Sequence, residues 1–338
     1  MARLRHLLAI VLAAATCAAA APKSTATKDS AVVHPMVTTT VEQKEVHDYW
    51  TSARIAHIGR DPSASDPISV PLCQRYRGAE FNAQGAIDKT VGRLFFTSTL
   101  PDGSDLDSSC TATLLQSKNK ATLVTAGHCS SAGTNTVAFI GYNKNLLWVP
   151  GFRDGKAPHG TFTVHSAVTS RLYEEDEDAL IGNDRSFLIL NSDARGRAAG
   201  ETLGPGQRIK FGRAPSGYLQ ALGYPRYVAS GPADLPQRGL PAFTGQRVAS
   251  CNGTAIKYEY GHGLTGIPCL MGGGASGGPE LENLDISTGV GTVVAVHSIN
   301  DEVIKGSERV EYLWGVPVTD ETSEMLYSAA QGITPLLH

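Results

Sequence analysis

Gly272-Gly273-Gly274-Ala275-Ser276-Gly277-Gly278-Pro279 decides how the rest of this 338-residue chain is read. A serine set among glycines can be approached closely by backbone N–H groups, because glycine puts no side chain in the way. Its hydroxyl is a weak nucleophile until a base takes the proton. Upstream, Thr125-Ala126-Gly127-His128-Cys129 supplies a base. His128 follows the apolar run 121–126, which reads as a buried strand, and Cys129 is placed to pin the corner. Imidazole titrates near 6.5, so it accepts a proton at neutral pH. Ser276 is the expected nucleophile and His128 the expected general base. The N–H groups of Gly274 and Ser276 are the expected donors to a developing oxyanion.

The orienting acid is expected at Asp184, in Asn183-Asp184-Arg185-Ser186-Phe187-Leu188-Ile189-Leu190, where an acid stands just before an apolar strand. Asp178 is the alternative, at the end of the acidic run Glu174-Glu175-Asp176-Glu177-Asp178. That run otherwise reads as a solvated loop, since it lacks the alternating oxygens and turn glycine of a calcium loop. The serine segment also fits the G-x-S-x-G elbow of another hydrolase fold, which needs its acid and histidine after the serine. Here the order is His128, Asp184, Ser276, and the chain order argues against the elbow.

A formal net charge of −3 gives no reason to expect nucleic acid or an anionic membrane as partner. Residues 1–20 carry Arg3 and Arg5, a short apolar stretch and the small residues Ala18-Ala19-Ala20, the pattern of a secretory signal peptide. Residues 21–85 read as a pro-segment or N-terminal arm, with a short helix in 41–58, and residues 86–338 as one domain. From residue 91 onward, short β-type runs alternate with turn residues, at 91–98, 110–115, 121–125, 161–168, 187–190, 218–222, 255–258 and 293–297. This predicts an all-β barrel or sandwich. One C-terminal helix is expected over 321–331, capped by Asp320 and followed by Gly332.

In an oxidising compartment, closeness in the sequence pairs Cys110 with Cys129 and Cys251 with Cys269, leaving Cys73 over. Asn252-Gly253-Thr254 is a glycosylation sequon. No metal or other cofactor is expected, and a secreted monomer acting on protein or peptide is.

With His128, Asp184 and Ser276 in that order, the chain resembles the chymotrypsin/trypsin-like serine proteases over roughly residues 91–331. The resemblance implies two six-stranded-type β-barrels with the site in the cleft between them, and acyl-enzyme hydrolysis of peptide bonds. The alternative is a catalytically silent protease-like binding protein. Gly223-Tyr224-Pro225 and Val296-His297-Ser298 look nearest the glutamyl endopeptidase-like branch, which implies substrate-binding roles for His297 and Ser298. Leu270 falls near the base of the family's specificity pocket, where the absence of an acid argues against cleavage after Lys or Arg. Ala275 stands where trypsin-type enzymes carry an aspartate that receives the freed N-terminus, so activation through that ion pair is not expected.

Overall fold

The structure, a computed structural model, describes residues 29–58, 78–82, 84–134, 137–215, 217–229, 243–305 and 308–335. The expected signal peptide and Cys73 lie outside the described residues. Two β-sheets make up most of the fold, with short helices between strands and one longer helix at the C-terminal end.

The first sheet runs in the order Ala31–Pro35, Phe162–Ser170, Ser186–Leu190, Thr122–Thr125, Asp105–Leu114, Val91–Thr99, Lys144–Pro150. Pairing of Lys144–Pro150 with Phe162–Ser170 closes six of these strands into a barrel and leaves Ala31–Pro35 as an added edge. Its centre is explained by composition. Ser186–Leu190 and Thr122–Thr125 are buried at every position, as expected of continuous apolar or β-branched runs with sheet on both sides.

The second sheet contains nine strands, with Val290–Lys305 between Glu308–Pro317 and Pro279–Asp285 at its middle. The strands Ala249–Thr254 and Thr265–Pro268 are joined by the Cys251–Cys269 disulfide and by side-chain packing of Pro268 on Gly253. Covalent and apolar contact here does what a backbone ladder does in the first barrel. The arrangement is all-β with two barrel-like units and a C-terminal helix.

That helix spans Glu321–Gln331. Asp320 caps it by accepting the Ser323 N–H at 2.8 Å. Ser323, Leu326 and Ala330 form its buried stripe, and Tyr327 meets Phe187 of the first barrel at 5.9 Å between ring centroids.

The N-terminal segment is built into the same barrel. Ala31–Pro35 pairs antiparallel with Phe162–Ser170, and helix Thr40–Tyr49 begins in a capping box of Thr39 and Glu42. Val37, Val46, Trp50 and Ile58 all belong to the main core cluster. The Trp50 indole N–H donates to Asn145 O at 2.6 Å. The strand at 31–35 is not legible from composition, because five residues ending in His-Pro carry too little alternation.

Candidate active site

Asp184 closes a short helical turn, Ile181–Asn183, immediately before the buried strand Ser186–Leu190. That strand pairs with Thr122–Thr125, and Ser186 lies opposite Thr125, which brings Asp184 under the corner carrying His128. The carboxylate makes two contacts with this residue: Oδ1 accepts the His128 backbone N–H at 2.8 Å, and Oδ2 accepts Nδ1–H at 2.8 Å. Holding Nδ1 protonated leaves Nε2 as the lone-pair nitrogen. The Ser298 hydroxyl also donates to Asp184 Oδ2.

Asp184 is fully buried and His128 keeps about a fifth of its side chain exposed. Burial alone pushes the Asp184 carboxyl up, but the positive charge of His128 and the hydrogen bonds from His128 and Ser298 outweigh it and hold the carboxyl below its ordinary value. For His128, burial pulls down while attraction to Asp184 and the shared hydrogen bond raise it, with a net upward shift. Asp178 is exposed, and its own N–H bonds Asp176 rather than this pair.

The corner is fixed on both sides of His128. Cys129 is joined to Cys110, and the Asn143 amide donates to the carbonyls of Cys129 and Ser131 at 3.1 and 3.2 Å. A side chain at Gly127 would place its Cβ 2.7 Å from the Tyr173 ring and 3.1 Å from Asp184 Oδ1, so only glycine lets the corner sit this close to the acid.

The Ser276 loop lies against the same strand end. Ser276 O accepts the Thr111 N–H at 2.8 Å. At Gly277, φ is +75°, and a Cβ there would fall 2.0 Å from Thr125 Oγ1 and 2.8 Å from Ala126 N. The two motifs, far apart in sequence, thus touch through backbone. Ser276 is half-buried. Among the described residues, the N–H groups of Gly274 and Ser276 donate to no protein acceptor. Their direction is set by the carbonyls before them, since a trans peptide points C=O and N–H opposite ways. Gly273 O accepts from Arg226 N at 2.7 Å, and Ala275 O accepts from Gly278 N at 2.9 Å and His297 Nδ1 at 3.1 Å. Neither N–H group is spent within the described residues of the protein.

The remaining expected site residues are buried. Leu270 is 3% exposed and His297 fully enclosed, and burial pushes the His297 ring down to about 4. Ser298 spends its hydroxyl on Asp184 rather than presenting it to a ligand. Asn252 is exposed on the strand Ala249–Thr254. One cluster of possible metal ligands occurs among the described residues, Cys110, His128 and Cys129, and both sulfurs are already joined in a disulfide. The roles of Thr111 and Asn143 in the site were missed from sequence. Both act through backbone atoms of residues distant in the chain, and the adjacent Cys110 was the one local signal for Thr111.

No family model and no curated protein matches the chain. Solved structures do. A protease, Anisep, from Arthrobacter nicotinovorans is 25% identical with a TM-score of 0.58, covering 76% of this chain and 99% of that one. A thermostable serine protease, AL20, from an extremophilic microorganism is 27% identical with a TM-score of 0.58, covering 74% and 100%. A Glu endopeptidase in complex with MPD, at 16% identity and TM-score 0.51, covers 78% and 100% and shares the fold.

Proposed function

We propose, from the premise that this chain is a serine endopeptidase of the chymotrypsin-like family, that it is secreted and cleaves peptide bonds through an acyl-enzyme on Ser276. His128 Nε2 takes the Ser276 proton as the hydroxyl attacks the scissile carbonyl, then returns it to the leaving amine. Asp184 keeps the imidazole in the tautomer that leaves Nε2 basic and stabilises the imidazolium that forms. The N–H groups of Gly274 and Ser276 receive the oxyanion, and loss of one such donor costs about 10² to 10³ in turnover. Water then attacks the acyl-enzyme with His128 as base.

The observation that carries this reading is the two-point contact between the buried Asp184 carboxylate and His128. It fixes ring position and tautomer together. Secretion is supported by the leader pattern of residues 1–20 and by two disulfides. A preference for acidic side chains through His297 would require the substrate to reach a ring that is enclosed and carries no charge near neutral pH. The test is labelling with a fluorophosphonate. Wild type should be phosphonylated at Ser276 and Ser276→Ala should stay unlabelled. Labelling that persists in Ser276→Ala would remove Ser276 from the reaction, and a wild type that neither labels nor cleaves a peptide library would point to the silent binding protein instead.

A further inference from the structure

The Ser276 loop contains five glycines in 272–278, and its remaining side chain besides serine is the methyl of Ala275. Such a segment is costly to order, because each glycine gives up a large range of backbone conformations. No charged side chain of the loop itself can anchor it. Its carbonyls are nevertheless held one by one. Gly272 O accepts from Ala275 N, Gly273 O from Arg226 N, Ala275 O from Gly278 N and His297, and Ser276 O from Thr111 N. The carbonyl of Gly274 is held by a side chain, Thr111 Oγ1, at 2.9 Å.

We propose that Thr111 is a positioning residue for the Ser276 loop, holding from the first barrel the two peptide units, 274–275 and 276–277, that flank the one carrying the Ser276 N–H. This rests on the reading of Ser276 as nucleophile. Thr111 is fully buried on the strand Asp105–Leu114, next to the disulfide that pins the His128 corner. All its polar groups are used. Its N–H donates to Ser276 O at 2.8 Å, its hydroxyl donates to Gly274 O and accepts the Tyr224 N–H at 2.9 Å, and its carbonyl accepts the Thr125 hydroxyl at 2.8 Å. One residue therefore ties together the strand leading to His128, the loop carrying Ser276 and the end of the strand Tyr218–Gly223.

The Gly274 carbonyl matters because of its neighbours. The peptide unit between Gly274 and Ala275 lies between the two units that carry the free N–H groups. With glycine on one side of it, reorientation of that unit meets little steric resistance, and a change in ψ at Gly274 that is not offset at φ of Ala275 turns one donor unit relative to the other. A hydroxyl that donates to Gly274 O and is itself held by the Tyr224 N–H opposes this change. Of the side chains that hold carbonyls in 271–275, Thr111, His297 and Asn300, Thr111 alone comes from the first barrel.

The test compares Thr111→Val, Thr111→Ser and Thr113→Val in the full chain. Thr113 lies two residues along the same strand, with a buried hydroxyl that has no partner, so its replacement controls for the packing change alone. The reaction followed is phosphonylation by a fluorophosphonate, resolved into a maximal rate and a half-saturating concentration, with thermal unfolding measured alongside. Thr111→Val should lower the maximal rate about 10- to 100-fold, the scale of a misaligned site or a lost oxyanion donor, and leave half-saturation within about twofold. Thr111→Ser should restore the rate to within about threefold of wild type, and Thr113→Val should match wild type. A Thr111→Val rate within threefold of wild type per folded molecule, or a Thr111→Ser protein as slow as Thr111→Val, overturns the proposal. If Thr111→Val does not fold, Thr111→Ala is compared with Thr111→Ser in the same way, and if neither folds the hydroxyl serves the fold rather than the loop and the proposal is likewise overturned. A wild type that is not labelled overturns the assignment of Ser276 itself, a result distinct from any of these.

Discussion

Asp184 is fully buried, and burial would drive it neutral if attraction to His128 and its hydrogen bonds did not oppose it. Three hydrogen bonds, from His128 N–H, His128 Nδ1–H and the Ser298 hydroxyl, keep it ionised. Asp184→Asn removes the charge and favours the wrong tautomer, so turnover should fall about 10⁴-fold. It should also move the acid limb of the pH profile. In the proposed mechanism neutral His128 is the active form, and its pKa lies above the ordinary 6.5 because Asp184 outweighs the downward pull of burial. The wild-type limb is therefore expected above pH 6.5 and the Asp184→Asn limb lower, measured on the phosphonylation rate; coincident limbs would count against the coupling. Glu280 presents the opposite case. Its carboxyl is fully buried beside Gly315, both oxygens lack partners, and burial pushes it well above the ordinary 4.5. Its proton is held more tightly in the fold than in the unfolded chain. The unfolded state thus binds fewer protons above pH 4.5, and stability declines as pH rises, by up to about 1.4 kcal/mol per pH unit. Glu280→Gln should flatten the fall in melting temperature as pH rises above 4.5; equal slopes in the two proteins would refute this.

At the scale of elements, the C-terminal helix supports the turn that carries the acid. Asp320 caps the helix and also pairs with Arg185 at 3.0 Å, and Arg185 is the residue after Asp184, its side chain 3% exposed. Arg185 further donates to Pro317 O at 2.9 Å. Asp320→Asn keeps a capping oxygen and loses the charge; Asp320→Ala loses both. The half-exposed carboxylate limits the charge term, so Asp320→Asn should cost under about 1 kcal/mol and Asp320→Ala about 1 kcal/mol more, read from chemical denaturation. Equal losses would show that the cap contributes nothing. This helix was legible in the sequence because its cap, apolar stripe and terminal glycine all lie within one short stretch of chain, 320–332. So were the strands at 91–99, 122–125 and 186–190, whose apolar or β-branched residues mark them directly. The strand Pro279–Asp285 was not, since Glu280, Glu282 and Asp285 disguise it and its burial comes from neighbouring strands.

For the molecule as a whole, the N-terminal segment is part of the main core. Residues 29–58, read as part of a pro-segment or arm, place four large apolar side chains in the main core, and Arg93 donates from inside that core to Ile58 O. Burial of four such side chains is worth about 1.5 to 3 kcal/mol each, comparable to the whole stability of a typical domain. A chain starting after residue 58 is therefore expected not to fold cooperatively, as judged by near-ultraviolet circular dichroism and thermal unfolding; a cooperative transition within a few degrees of the full chain would show that the segment is dispensable. We expect any maturation cut to leave 29–58 in place. The sequence by itself determined the all-β class, the C-terminal helix and the residue types of a serine hydrolase, because chain order, glycine placement and apolar runs are local properties. Only the tertiary structure decided that Asp184 rather than Asp178 meets His128, that Ser298 bonds the acid, and that Thr111 ties the Ser276 loop to the first barrel. Each of these depends on which backbone groups of distant strands come within hydrogen-bonding distance. That is fixed by register and barrel packing, which no single stretch of the chain encodes.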